Sequence, residues 1–180
     1  MAAVQRHALR LFRELGYNAT TVEQIAEAAE ISPSTFFRYF STKEDVLIMD
    51  NYDPLLISAF EQQPSELSPL SAVRQAMIST MADMSADELG TMRERNQLIM
   101  TVPELRAATL NNLTQTMQMI TEMVAKRMDR KPDDLDIRTF AGAVIGVNIS
   151  VMLYYAEHPE TDYAALLDEA LSKLESGLAL

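Results

Sequence analysis

Apolar residues recur at helical spacing along nearly the whole chain. Val4, Ala8, Leu11, Phe12 and Leu15 line one face of a first helix, Arg6, Arg10 and Arg13 recur on another, and Gly16 follows as a carboxyl-terminal cap. A second, short helix starts near Thr21. Thr20 or Thr21 can cap it, Glu23 or Gln24 can close a capping box, and Val22, Ile25, Ala26 and Ala29 form its stripe. Ser32-Pro33 opens a third helix, because serine accepts from the free N–H groups and proline suits the first helical position. Within it Phe36 and Phe40, at i and i+4, bury one face and leave Ser34, Thr35, Phe37, Arg38 and Tyr39 on the other. Ser41 and Glu44 stand in box spacing before a fourth helix, which runs through Leu47, Ile48, Tyr52, Leu55, Leu56, Ala59 and Phe60 with Pro54 as a kink point.

Beyond a polar loop at 61–70, a fifth helix starts at Ser68-Pro69 and carries Val73, Met77 and Met81. Pro103 divides a further helix pair. The second member carries Leu105, Leu110, Leu113, Met117, Ile120, Met123 and Val124, and ends on Lys126, Arg127, Arg130 and Lys131, a charge suited to a helix carboxyl end. Asp133, Asp134 and Asp136 follow and favour the amino end of the next helix; with no glycine turn or ligand array beside them, they point to capping rather than to a metal. Phe140 to Ala156 is the most apolar stretch. Asn148, Ser150, Arg138 and Glu157 mark it as a buried helix and not a membrane span, and Gly142 and Gly146 permit close approach of a neighbour. A last amphipathic helix carries Leu166, Leu167, Leu171 and Leu174. The expected fold is all-α with about nine helices: a three-helix head over residues 1–45 and a helical body over 46–180.

Composition narrows the chemistry. Hydrophobic residues make up 48% of the 180, with only 5 Gly and 7 Pro, enough for a sizeable core and few helix breakers. There is no Cys and no Trp, and the two histidines are His7 and His158, so disulfides, thiolate catalysis and a His-based metal site are not expected. No G-x-S-x-G, G-x-G-x-x-G, phosphate-loop or H-E-x-x-H motif occurs, and neither an enzyme nor a cofactor is expected. The amino terminus lacks a signal-peptide pattern, which points to a cytoplasmic protein with no membrane partner. Fifteen basic against 26 acidic residues give a net charge of −11, concentrated after residue 50. A nearly neutral head can still meet DNA, because salt screens distant repulsion beyond about 8 Å.

Two short helices parted by a three-residue turn, with small Ala26 at their crossing, form a helix-turn-helix. The run Thr20-Thr21-Val22, Ile25-Ala26, Ala29, Ser32 to Phe40 and Lys43-Glu44 resembles the amino-terminal domain of TetR-family transcriptional regulators over about residues 4–50. Glu30 departs from the glycine often found at the corner. A left-handed backbone there costs a non-glycine residue on the order of 1 kcal/mol. The resemblance implies that the third helix enters the major groove of double-stranded DNA through Ser34, Thr35, Phe37, Arg38 and Tyr39. Arg38 would read guanine, and Thr21 and Lys43 would clamp phosphates. Phe37 has a competing role in the core, and the arginines of the first helix either face phosphate or water. Only three residues precede the first helix, so a minor-groove arm is not expected.

The same resemblance implies that the last two helices build a four-helix homodimer interface. Recognition helices one DNA turn, about 34 Å, apart require a twofold pair and a palindromic operator. Ten of the twelve methionines follow residue 70, either as core filling or as the lining of an adaptable cavity. Met100, Met117, Phe140 and Asn148 are the candidate lining for a small, mainly hydrophobic effector; Asn148 would orient a polar group or bond across the dimer. The expected function is a ligand-responsive repressor, with pivoting of the fourth helix as transmitter. The alternative is an all-helical scaffold or small-molecule-binding protein whose head no longer binds DNA.

Overall fold

The computed structural model describes residues 2–49, 52–82 and 84–178. Ten helical segments occur among them: α1 (Ala2–Leu15), α2 (Val22–Ala28), α3 (Pro33–Tyr39), α4 (Asp45–Ile48), α5 (Tyr52–Glu61), α6 (Pro69–Ala82), α7 (Ala86–Thr101), α8 (Pro103–Met128), α9 (Leu135–Glu157) and α10 (Tyr163–Glu175). Met1 and the side chains of Tyr52 and Leu110 lie outside the described residues.

The expected fourth helix is two segments. Met49 leaves the helix with an extended backbone (φ −70°, ψ 120°) and α5 restarts at Tyr52. The cause is Pro54. In an unbroken helix it would have to donate to residue 50 and its ring would strike that carbonyl. As the third residue of α5 it lacks a donor that would have no intrahelical acceptor anyway. The box-like pair in the turn before α4 also sits one residue later than the Ser41–Glu44 spacing suggests. Thr42 and Asp45 form the reciprocal pair, Thr42 N–H donating to Asp45 Oδ2 (2.9 Å) and Asp45 N–H to Thr42 Oγ1 (3.2 Å), which frees Glu44 for another partner.

Contacts group the chain into two compact units: residues 1–50 with 87–112, and residues 51–86 with 113–180. This differs from a division at 45/46. The core of the first unit holds Phe12, Ile25, Phe36, Phe40 and Leu47, and also Ile99 and Leu105 from the α7–α8 corner. The second unit packs α6 against α5 and α10, and α9 against α10, around Phe60, Val73, Ile120, Val144, Leu167 and Leu171. Arg74 of α6 ties α10 through a bidentate pair with Asp168 (2.7 and 3.0 Å).

The caps explain where the helices stop. α2 ends in a Schellman motif: Ile31 N–H donates to Ala26 O (2.9 Å), Glu30 N–H donates to Glu27 O (3.0 Å), and Glu30 is left-handed at φ 54°. Replacing Glu30 with Gly removes the Cβ clash of that conformation, so Glu30→Gly is expected to stabilise the protein by about 1 kcal/mol and raise Tm by about 2–4 °C in thermal denaturation. The same motif ends α8, where Arg130 N–H donates to Ala125 O (2.9 Å) beside left-handed Asp129 (φ 50°). Asp134 then caps α9 by accepting from Asp136 N–H (3.0 Å), and Arg130 pairs with Asp134 and Asp136, so these acids serve the turn.

Helix α9 is 23 residues long with a mean hydropathy of 1.5 over its most apolar window, sufficient by length and composition to cross a membrane. In this chain it gives Ile137, Ala141, Val144, Ile145 and Val151 to the core. Leu153 and Tyr154 remain exposed.

Candidate nucleic-acid interface and ligand groove

Helix α3 is held from behind and open in front. Phe36 and Phe40 are buried, with ring centroids 5.3 Å apart. Ser32 caps the helix by accepting from Thr35 N–H (3.1 Å), and Pro33 occupies the first helical position. Phe37 is 54% exposed, which excludes it from the core, although its ring edge still meets Phe36 at 5.4 Å. Ser34, Arg38 and Tyr39 are exposed and Thr35 is half-buried. Arg38 Nη2 donates to the Tyr39 hydroxyl (3.3 Å) and its guanidinium lies 5.0 Å from the Tyr39 ring centroid. The guanidinium therefore has a supported starting position with most of its donors unused by that contact. Five neighbouring positions thus offer hydroxyls, aromatic surface and one cation, the groups that reach base edges and phosphates.

Thr21 is exposed at the amino end of α2. It accepts from Gln24 N–H (3.2 Å), while Thr21 N–H donates to Gln24 Oε1 (2.8 Å); of the two caps the sequence allows, Thr21 is the one used. Thr20 is buried and donates to Gly16 O (2.9 Å) instead. The first-helix arginines divide: Arg10 pairs with Glu14 (2.8 Å), Arg13 with Glu94 (3.4 Å), and Arg6 is exposed.

Lys43 is half-buried. Its Nζ donates to Tyr17 O (2.8 Å) and Thr20 O (3.0 Å) and lies 4.1 Å from the Tyr17 ring centroid. The Tyr17 hydroxyl donates to Glu44 Oε1. Burial foremost, then this bond and the charge of Glu44, push the Tyr17 phenol far above its ordinary value, so it stays a donor. Burial works to raise the Glu44 carboxyl, but the bonds from Tyr17, backbone and Thr42, with Lys43 alongside, outweigh it and hold the group below the usual carboxylate value. Tyr17 and Glu44 escape a reading by periodicity. The only local signal is an aromatic residue directly after the glycine cap of α1.

The effector candidates divide between the two cores. Met100 packs on the core of the first unit, whereas Met117 and Phe140 pack on that of the second. Asn148 is held within the chain: its Oδ1 accepts from the Tyr163 hydroxyl of α10 (3.1 Å). A groove of about 540 Å³ does occur in the second unit, between α5 and α8. Ile57 and Phe60 wall one side and Met119 and Met123 the other, with Arg127 at one end. Arg127 is fixed by donating to the carbonyls of Gln63, Pro64 and Leu67, and it covers the Phe60 ring at 5.4 Å. The Lys126–Glu61 ion pair (2.7 Å) joins the two helices at the rim. The α8 stripe here, 119, 122, 123, 126 and 127, has helical spacing, but its mixed polarity hides it from a hydrophobic pattern.

Residues 6–48 match the family described as bacterial regulatory proteins, tetR family, and residues 67–179 match the MftR C-terminal domain. The chain is 30% identical over 168 residues to the Mycobacterium tuberculosis protein named as mycofactocin biosynthesis transcriptional regulator MftR, covering 91% of this chain and 81% of that one. It is 42% identical over 86 residues to the HTH-type transcriptional regulator TcmR of Streptomyces glaucescens, a stretch of 47% of this chain and 38% of TcmR's length. In fold it is similar to Thermus thermophilus FadR, a TetR-type transcriptional repressor solved with lauroyl-CoA: TM-score 0.59, 24% identity, 99% of this chain and 95% of that one.

Proposed function

We propose that this chain, which belongs to the TetR family of bacterial regulatory proteins and is a DNA-binding transcriptional regulator, binds a palindromic operator as a homodimer and is released from it by a small, mainly hydrophobic effector. The carrying observation is the α3 edge, where Ser34, Phe37, Arg38 and Tyr39 stand exposed above buried Phe36 and Phe40. Thr21 and Thr35 complete the proposed DNA-facing set, with Lys43, whose ammonium donates to the Tyr17 and Thr20 carbonyls, as a supporting residue beside them. Residues 1–45 are the proposed DNA-binding head and 46–180 the regulatory and dimerisation body, acting in the cytoplasm. Selection of bound fragments from genomic DNA tests this: a recovered palindrome should bind with an affinity that falls steeply between 50 and 200 mM salt. Absence of any salt-dependent, sequence-selective binding refutes the reading.

Support for the homodimer comes from α9. Leu153 and Tyr154 are exposed, and a Cβ placed on Gly142 or Gly146 would meet no other atom within 4 Å, so packing within the chain does not require glycine there. A second copy's helix approaching closely would. Gly146→Leu is therefore expected to leave the helix content intact and to weaken dimerisation at least about tenfold by sedimentation, an interface clash of about 1.4 kcal/mol or more. A wild-type chain that sediments as a monomer at all concentrations removes the dimer.

For the effector, Met117, Phe140 and Asn148 of the second unit are the proposed lining, and the α5–α8 groove, of suitable size, is a further candidate. Met100, packed in the other unit, is left out of that set. FadR of T. thermophilus, bound to lauroyl-CoA, supplies the first probe. An effector must bind one arrangement of the heads better than the other to move operator occupancy. A panel led by lauroyl-CoA should therefore include a compound that lowers operator affinity; operator binding unmoved by every apolar ligand that binds the protein contradicts release.

A further inference from the structure

A phosphate clamp needs free donors, and Lys43 has committed two of its three. Of the three ammonium protons, two go to the carbonyls of Tyr17 and Thr20, and the Tyr17 ring lies beneath the charge. One residue later, Glu44 accepts from the hydroxyl of the same tyrosine. Two consecutive side chains thus hold Tyr17 at both ends, one at its backbone and ring face, the other at its phenol. Tyr17 is itself nearly buried, with its ring 5.3 Å from Phe12, and it follows left-handed Gly16. Four residues beyond it lies Thr21, the cap of α2; one residue before Lys43 lies Thr42, paired with Asp45 at the start of α4.

We infer, resting on the DNA-binding reading of the head, that Lys43 and Glu44 are positioning residues: together they latch the α1–α2 turn, through Tyr17, to the start of α4, so that the amino ends of α2 and α4 are held at a set separation before DNA arrives. The phosphates of a duplex are regularly spaced. Contact points ordered in advance lose less conformational freedom on binding than points on a loose turn. Lys43 then contributes to affinity mainly through backbone order, and Tyr17 and Glu44 contribute although neither offers a positive charge to DNA.

The test uses the full chain and its selected operator, with Lys43→Met, Tyr17→Phe and Glu44→Gln each assayed well below its own Tm. Affinity is measured from 50 to 200 mM salt. Each variant is expected to lose roughly tenfold at every salt concentration, the scale of one hydrogen bond to a charged group, with an unchanged salt slope. The double variant Lys43→Met with Tyr17→Phe should lose less than the product of the two single losses. A slope reduced by about one in Lys43→Met, with Tyr17→Phe and Glu44→Gln binding normally, makes Lys43 a plain phosphate contact and overturns the latch. Lowered Tm with wild-type affinity in all three reduces it to a stability staple and overturns its role in binding. If the wild type binds no DNA, the functional reading has failed on its own. The latch is then read by amide exchange at residues 17–21, which should quicken in Lys43→Met; unchanged exchange dismisses it.

Discussion

Phe36→Ala is expected to cost about 3–5 kcal/mol, because the side chain is fully buried and its loss leaves a cavity between α3 and the rest of the head. Natural domains hold only about 5–15 kcal/mol in total, so the variant should unfold at much lower denaturant and lose operator binding with it. The neighbouring ring supplies the contrast. Phe37 is 54% exposed, so Phe37→Ala should change stability by no more than about 0.5 kcal/mol while weakening DNA binding. Chemical denaturation followed by circular dichroism, paired with a binding assay, separates the two. Equal stability losses in both variants would mean that α3 does not present the edge described here.

Arg38→Ala carries the largest expected effect on recognition. Its guanidinium is exposed, is supported by Tyr39, and has donors left for a bidentate pair with a guanine edge. Removing it should cost about 1–3 kcal/mol for the preferred base at one operator position and little for the other three bases there. Competition against operators varied at each position reads this directly. A loss shared evenly by all sequences would make Arg38 a backbone contact and pass base reading to another residue. Tyr39→Phe removes the hydroxyl that receives Arg38 Nη2, so it should show a weaker version of the same position-specific loss.

Much of the head is legible in order along the chain because its signals are local. Thr21 with Gln24, Ser32 with Pro33, and Gly16 at φ 87° are each read from residues one to three positions apart, and each functions as expected. The Phe36–Phe40 pair is read the same way, from a spacing of four. The cost at Glu30 was visible as a missing glycine, and its left-handed backbone meets that expectation. The break between α4 and α5 was half legible: Pro54 marked the place, but only the structure distinguishes an interruption from a kink.

What periodicity could not supply are partners distant in sequence. Nothing local says that Lys43 turns back 26 residues to Tyr17, that Glu44 takes its hydroxyl, or that Arg127 spans some 60 residues to the carbonyls of Gln63 and Leu67. Each such contact depends on where whole helices come to rest. The effector set shows the same limit. Met100 and Met117 look alike as methionines on apolar stripes, yet they pack in separate cores.

The order of amphipathic stripes and caps alone determined an all-helical chain with a helix-turn-helix at its start, since burial of one face and closure of helix ends are decided within a few residues. Tertiary structure decided which polar groups remain available: it tied Lys43 and Asn148 to neighbours, left Arg38 open, and recruited Ile99 and Leu105 to the head's core. A side chain's chemistry is written in its type, but its availability depends on what packs beside it.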